Sequence, residues 1–402
     1  MLSLSPYLQC KNNNFNLLRF IVASTVVYQH CYLVLGYDYR QYSYLIKIIN
    51  PVAVFFIISG FLISKSWDNS LSILIYARKR ISRIFPALVA SLFITIFIIG
   101  PICTNLNLKA YFFDISIYRY FLNNLIFNTN YFLSTVFAEN PNKYANGALW
   151  SLMPEVFCYI MLAFFGNVAK KYKYSQPHFH LLIIAILLIA YQDVLSQPQI
   201  NQEYLEKIIY FAIGASYYRY RQHIHLNGKV AIFLLLSYLI NQQFYCNIYF
   251  NWLLLPYLVF YFSFARFGSS RFGFSHFCLA KSWGLTEFWH NFGKKSDLSY
   301  GIYIYHFPIQ QTIIHFLLTS QILKPFVSNF APELGSITAT SNHDLNIILF
   351  AFIFVATYIP SLILAFLSYK YLEKPMITIT RNNHKAHKNN KSHGNNKAIQ
   401  NN

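Results

Sequence analysis

Residues Leu17 to Gly36 read LLRFIVASTVVYQHCYLVLG. The run has the ~20-residue length that spans a bilayer, yet it carries Arg19 near one end and His30 near the other. A charged side chain inside lipid costs roughly 2.5–3.5 kcal/mol on insertion scales, so Arg19 requires the interface or a protein partner. Eleven residues at 100° each bring the two side chains onto one helix face, about 16 Å apart along the axis.

The rest of the 402-residue chain has the same character, with 55% apolar, 19% aromatic and 11% charged residues. A soluble domain has about 25% charged residues, so the composition predicts an all-α, polytopic membrane helix bundle. About ten transmembrane helices are expected, near 15–35, 46–64, 84–101, 148–166, 181–195, 205–218, 230–244, 248–265, 299–318 and 345–369. Lys and Arg are concentrated in alternate connections, among them Lys65, Arg78 to Arg80, Arg83, Arg219, Arg221 and Lys229. By the positive-inside rule this places both termini in the cytoplasm. The same rule accounts for the net charge of +19 without nucleic acid.

Other classes are excluded on pattern. The first apolar run lacks a small-residue cleavage site and reads as a retained helix. The six cysteines, Cys10, Cys31, Cys103, Cys158, Cys246 and Cys278, have no paired spacing and read as apolar fillers, so no metal is expected. No Gly-rich phosphate loop points to an internal ATP motor. Residues 376–402 are expected to form a disordered, basic Asn/Lys/His-rich cytoplasmic tail after a transmembrane domain at 1–375. The outer segment 103–147 contains FFDISIYRYFLNNLIF, suited to an amphipathic helix along the interface. It is a candidate for meeting an acceptor, or a connector resting on the membrane.

Further motifs follow in order: Phe55, Phe56, Ser59, Gly60 and Phe61; Arg80 and Arg83 with Pro86; Trp150 with Glu155; Tyr303, His306 and Pro308; Glu373 with Pro375. Together with Arg19 and His30, this series over residues 15–375 resembles the membrane-bound acyltransferase family 3, whose members acylate sugars and other extracytoplasmic acceptors. The resemblance implies an inner-membrane O-acyltransferase with acetyl-CoA as donor and a cell-envelope glycan or lipid-linked sugar as acceptor. Some members continue into a soluble hydrolase-like domain. This chain passes instead into its polar tail, so it is expected to act alone or with a separate extracytoplasmic partner.

Acyl transfer from a thioester to a hydroxyl needs a base, and His30 is the candidate. Glu155 is the candidate to fix its tautomer, because seven residues (about 10 Å) and five residues (about 7 Å) put the two at matching depths. The alternative for Glu155 is a structural carboxylate paired elsewhere. Coenzyme A phosphates require cations, and Arg19, Arg80 and Arg83 lie at the inner face, although topological anchoring explains such charges too. His306, Trp150, Ser59 and Tyr303 are candidates for the path or the substrate contact, with helix packing as the plainer reading of His306. A transporter or flippase of a lipid-linked glycan is the alternative function, since intramembrane His, Glu and Arg also suit a proton-coupled carrier. A non-catalytic scaffold would leave the Arg19 and His30 stripe without a reason. Oligomeric state has no signature in the residues.

Overall fold

Helix α1, Phe15–Val34, begins where the Asn14 amide donates to the Phe262 carbonyl at 3.0 Å and the Asn14 backbone N–H donates to Ser263 O at 2.8 Å. Its first turn is thereby tied to a distant helix end. A computed structural model describes residues 13–37, 49–171, 184, 186–188, 190–191, 202–245, 247–264, 292–293, 296–320 and 347–382. Helix α2, Pro51–Asp68, is started by the Asn50 side chain, which accepts from Ala53 N at 3.1 Å, and by Pro51 in the first turn.

Helix α3 covers Ile73–Ile94 behind a Ser72 cap and continues through a wide turn, Thr95–Ile99, to Cys103. The rod Ile73–Cys103 has 31 residues, about 46 Å, and so outreaches a ~30 Å hydrocarbon layer. It begins eleven residues before the expected start at 84. Arg78, Lys79, Arg80 and Arg83 therefore project from a helix end and not from a loop.

Two short helices follow, α4 at Leu108–Phe113 and α5 at Ile115–Leu125, separated at Asp114, which caps the second. Helix α5 buries Ile117, Tyr120 and Asn124, the first two in the main apolar core, and exposes Ile115, Tyr118 and Leu122. The expected amphipathic helix is thus present, shorter than the quoted stretch and with its second face open. A tight turn, Gly147–Ser151, leads into α6, Leu152–Lys171. Then come α7 (Gln202–Arg219), α8 (Gly228–Ile240), α9 (Ile248–Phe264), α10 (Ser299–Thr319) and α11 (Ile347–Ser368). Helix α11 continues through a wide turn at Tyr369–Glu373 to Asn382. Residues 376–382, expected to begin the disordered tail, are helical.

All regular structure among the described residues is helical, with one isolated bridge between Thr104 and Val136. Nine of the ten expected segments are helices there, and most of 181–195 lies outside the described residues, as do Cys10, Cys246, Cys278 and the tail from 383. Among the described residues, five helices are long and apolar enough to cross a bilayer: Phe15–Val34, Pro51–Asp68, Ile73–Cys103, Gly147–Ala169 and Ile347–Asn382. Helix α10 is long enough but carries Gln310, Gln311, His306 and His315, all buried. Polar side chains are tolerated because α10 packs among α1, α3 and α11, where protein partners replace lipid.

Helices α2 and α7 make the closest approach. A Cβ added at Gly60 would fall on the Phe211 carbonyl oxygen, and one at Gly214 on the Ile57 carbonyl oxygen. Small residues permit such contact, and it matters in lipid because apolar burial does not drive helices together there. Gly214→Val should overpack this seam and destabilise the protein by about 1–3 kcal/mol or more, read as a lower unfolding temperature in detergent. An unchanged transition would show that the seam can open at no cost.

Candidate functional site

Helices α1 and α10 run parallel and are joined at two levels. At the lower level the Arg19 guanidinium donates to Asp297 Oδ2 at 2.6 Å, and Arg83 of α3 donates to the same oxygen at 2.7 Å. Arg83 also reaches Glu373 Oε2 at 3.1 Å, at the wide turn of α11. The other Asp297 oxygen accepts from the Ser299 hydroxyl at 2.6 Å and the Ser299 N–H at 3.2 Å, as α10 begins. Burial pushes the Asp297 carboxyl up, but Arg19, Arg83 and the Ser299 bonds outweigh it and hold the carboxyl well below the usual aspartate range. Four helices are clamped here by two cations and two anions.

The three arginines expected at the donor site, Arg19, Arg80 and Arg83, all border one cavity but differ in their partners. Arg19 and Arg83 face carboxylates, so their charge is balanced within the protein. Arg80 has no carboxylate partner among the described residues. Its guanidinium donates to the Ser66 hydroxyl at 3.3 Å and lies over the rings of Tyr76 (5.9 Å) and Tyr159 (5.8 Å). Its Nε is buried without a partner. Arg80 borders a cavity of about 520 Å³ shared with Arg19, Ser59, Glu155, Tyr159, Tyr303 and Arg83. Small-molecule sites span roughly 300–1,000 Å³. Lys79 and Arg381 also border the cavity. Arg381 falls in the segment expected to be a disordered tail; the extension of α11 brings it here.

Glu155 lies on the cavity wall but accepts from the Tyr159 hydroxyl, whose oxygen is 3.2 Å from Ser59 Oγ. Residues 155 and 159 are one turn apart and share a face. No hydrogen bond joins Glu155 to His30 among the described residues, so the expected pairing gives way to another.

His306 occupies that position. His30 Nδ1 and His306 Nε2 are 2.7 Å apart, and the rings stack with centroids at 4.9 Å and planes at 17°. His306 Nδ1 is 3.0 Å from the Ile302 carbonyl oxygen, which can only accept. In the neutral pair, therefore, His306 keeps its proton on Nδ1 and accepts at Nε2 from His30 Nδ1–H. His30 Nε2 is left with a lone pair, as a general base requires. His306 is fully buried and His30 only partly so, so of the two rings it is His30 that keeps an open side. Phe307 packs edge-on to the His30 ring at 5.2 Å.

Tyr303 connects the two regions. It borders the cavity, its ring is 6.2 Å from that of His306, and its hydroxyl is 2.7 Å from Ser151 Oγ. Trp150, the residue before Ser151, lies outside the cavity and stacks on Tyr204.

A paired histidine beside a cavity with an unbalanced cation is suited to group transfer, and similarity to known proteins defines which kind. A family model described as an acyltransferase domain matches residues 12–367. This chain belongs to the membrane-bound acyltransferase family 3. The acyltransferase is 27% identical over 319 residues to a protein of Shigella phage Sf6 named O-acetyl transferase, covering 76% of this chain and 87% of that one. It is 28% identical over 177 residues to Nodulation protein 10 of Rhizobium leguminosarum bv. viciae, covering 40% and 46% of the two chains. No solved structure matches it.

Asp297 and the role of His306 as orienting partner were not apparent from the sequence. Asp297 stands at the start of a helix in SDLSYGIYIYHFPI, where an acidic residue looks like an ordinary cap. Spacing gives no signal for it, since nine residues before His306 is half a turn off that face; Asp297 meets Arg19 because it stands just before α10 begins.

Proposed function

We propose that this enzyme is an O-acetyltransferase of the bacterial inner membrane. It takes the acetyl group from cytoplasmic acetyl-CoA and delivers it to a hydroxyl of a cell-envelope glycan or its lipid-linked precursor. The observation that carries this reading is His30 with Nε2 free to accept a proton, one residue beyond a cavity bordered by Arg80. The name of the Sf6 relative, O-acetyl transferase, supports acetyl as the group transferred. Acetyl-CoA would supply the activated thioester carbonyl. Arg80, whose buried Nε lacks a partner, would hold a donor phosphate with help from Lys79 and Arg381. His30 Nε2 would take the proton of the attacking hydroxyl, and His306 would stabilise the imidazolium through the Nδ1–H bond. The same proton would then leave with the thiol.

The experiment that tests the reading compares the envelope glycan of strains with and without the intact gene, by mass spectrometry and proton NMR. Loss of O-acetyl groups with export intact supports the enzyme. Loss of export itself would favour a carrier.

Two expectations follow for the donor side. Arg80→Ala should raise the acetyl-CoA KM roughly tenfold in proteoliposomes, since a charged hydrogen bond contributes about 1.5–3 kcal/mol. Arg80→Lys should restore it only in part, because an ammonium is a point charge. An unchanged donor KM in Arg80→Ala would remove Arg80 from the donor site. For topology, the Lys/Arg pattern supports ten spans with both ends inside. A reporter after Asn402 should read cytoplasmic, and a cysteine at exposed Lys143 should be labelled from outside; both on one side would break that arrangement.

A further inference from the structure

Four aromatic side chains that the transfer step does not use gather where the segment 104–146 meets the starts of α6 and α7. Trp150 and Tyr204 stack with planes 4° apart and centroids at 5.9 Å. Tyr131 stacks on Tyr144 at 4.7 Å, and Tyr204 and the Glu203 carboxylate are neighbours of the Tyr131 phenol. All four rings are half-buried, so each keeps an open portion. The cluster is connected to the histidine pair through Ser151 and Tyr303. Trp150 precedes Ser151, which meets the Tyr303 hydroxyl at 2.7 Å, and the Tyr303 ring is 6.2 Å from His306.

We propose that Trp150, Tyr204, Tyr131 and Tyr144 form a stacking platform for a pyranose ring of the acceptor. An aromatic face carries negative charge density, and the axial C–H bonds of a pyranose present a weakly positive face that matches it. The ring hydroxyls of such a sugar also need donors and acceptors around the apolar contact. The Tyr131 and Tyr204 phenols can donate or accept, and the Glu203 carboxylate can accept. Ser151 and Tyr303 link Trp150 to the histidine pair, which ties the platform to the part of the chain that holds the base. An interfacial aromatic belt is the competing explanation, because Trp and Tyr are enriched at membrane surfaces. Belt residues face lipid individually, whereas these rings are stacked in pairs with a carboxylate beside them.

The platform rests on the glycan-acceptor reading above, and the test separates the two. The acceptor probe is an oligosaccharide released from the envelope polysaccharide of a strain carrying only His30→Ala, mixed with proteoliposomes and labelled acetyl-CoA. Trp150→Ala and Tyr204→Ala should each raise the acceptor KM roughly tenfold with the donor KM unchanged, while Trp150→Phe and Tyr204→Phe retain most of the affinity. Saturation-transfer NMR should show sugar C–H signals in contact with wild-type protein and weaker contact in Trp150→Ala. An unchanged acceptor KM in both Ala variants overturns the platform, as does a fall in protein level with kinetics per molecule unaltered, the result for a membrane belt. Failure of wild type to label any glycan would overturn the acceptor reading, and the platform with it.

Discussion

His30→Ala is expected to lower acyl transfer by roughly 10²–10⁴-fold while the protein still inserts and accumulates, because that is the range a general base contributes. Accumulation should persist because His30 is only partly buried and its removal leaves a single partner, His306 Nε2, without a donor. The orienting role of His306 gives the prediction a second edge. His306→Ala removes the acceptor for His30 Nδ1–H, so the imidazole can take the wrong tautomer and present N–H where a lone pair is needed. kcat should fall by about tenfold or more with the donor KM little changed, since the cavity does not include His306. His306→Gln offers an amide oxygen that can accept the same proton and should recover part of kcat. A protein that keeps more than about a tenth of wild-type activity without His30 does not use it as its base.

The sequence made α1 legible because helical spacing is a local property, and Arg19 and His30 on one face need nothing beyond 3.6 residues per turn. It misplaced the start of α3 because Arg78 to Arg83 look like a loop when no partner is visible. Arg83 pairs with Asp297 and Glu373, far away in sequence, and Arg80 with Ser66 and the rings of Tyr76 and Tyr159. The expected pairing of Glu155 with His30 failed for a related reason. Residue counting from a helix end gives depth along the membrane normal but not the direction a side chain faces. Glu155 has its own i+4 neighbour, Tyr159, and turns with it toward the cavity. In the sequence Trp150, His306, Ser59 and Tyr303 are one set of candidates, and what divides them is visible only in three dimensions: Ser59 and Tyr303 border the cavity, His306 meets His30, and Trp150 faces Tyr204 outside the cavity.

Asp297→Asn is expected to be the most damaging single change for stability. One carboxylate oxygen serves two guanidinium groups, and the Asp297 side chain is 17% exposed, with Arg19 at 22% and Arg83 at 19%. Removing one partner of a buried ion pair costs roughly 3–5 kcal/mol, because the remaining charge is left without compensation; partial exposure puts this site toward the lower figure. After the change Arg83 would keep Glu373, and Arg19 would be left with no carboxylate among the described residues. Protonation should not mimic the mutation in ordinary buffers. The folded carboxyl titrates below the ordinary aspartate value of about 3.9, so its contribution is fully present above that value and is lost only as pH falls well below it. The informative variant is Asp297→Asn with Arg19→Gln, which removes a cation together with the anion. If the clamp acts through charge balance, the double variant should unfold at a higher temperature than the sum of the two single losses predicts, by a coupling of about 1–3 kcal/mol. Activity should follow stability in the double variant if Arg19 is a clamp, since the cavity and Arg80 would persist. Simple additivity, or a stable double variant whose acetyl-CoA KM has risen tenfold, would return Arg19 to the donor site.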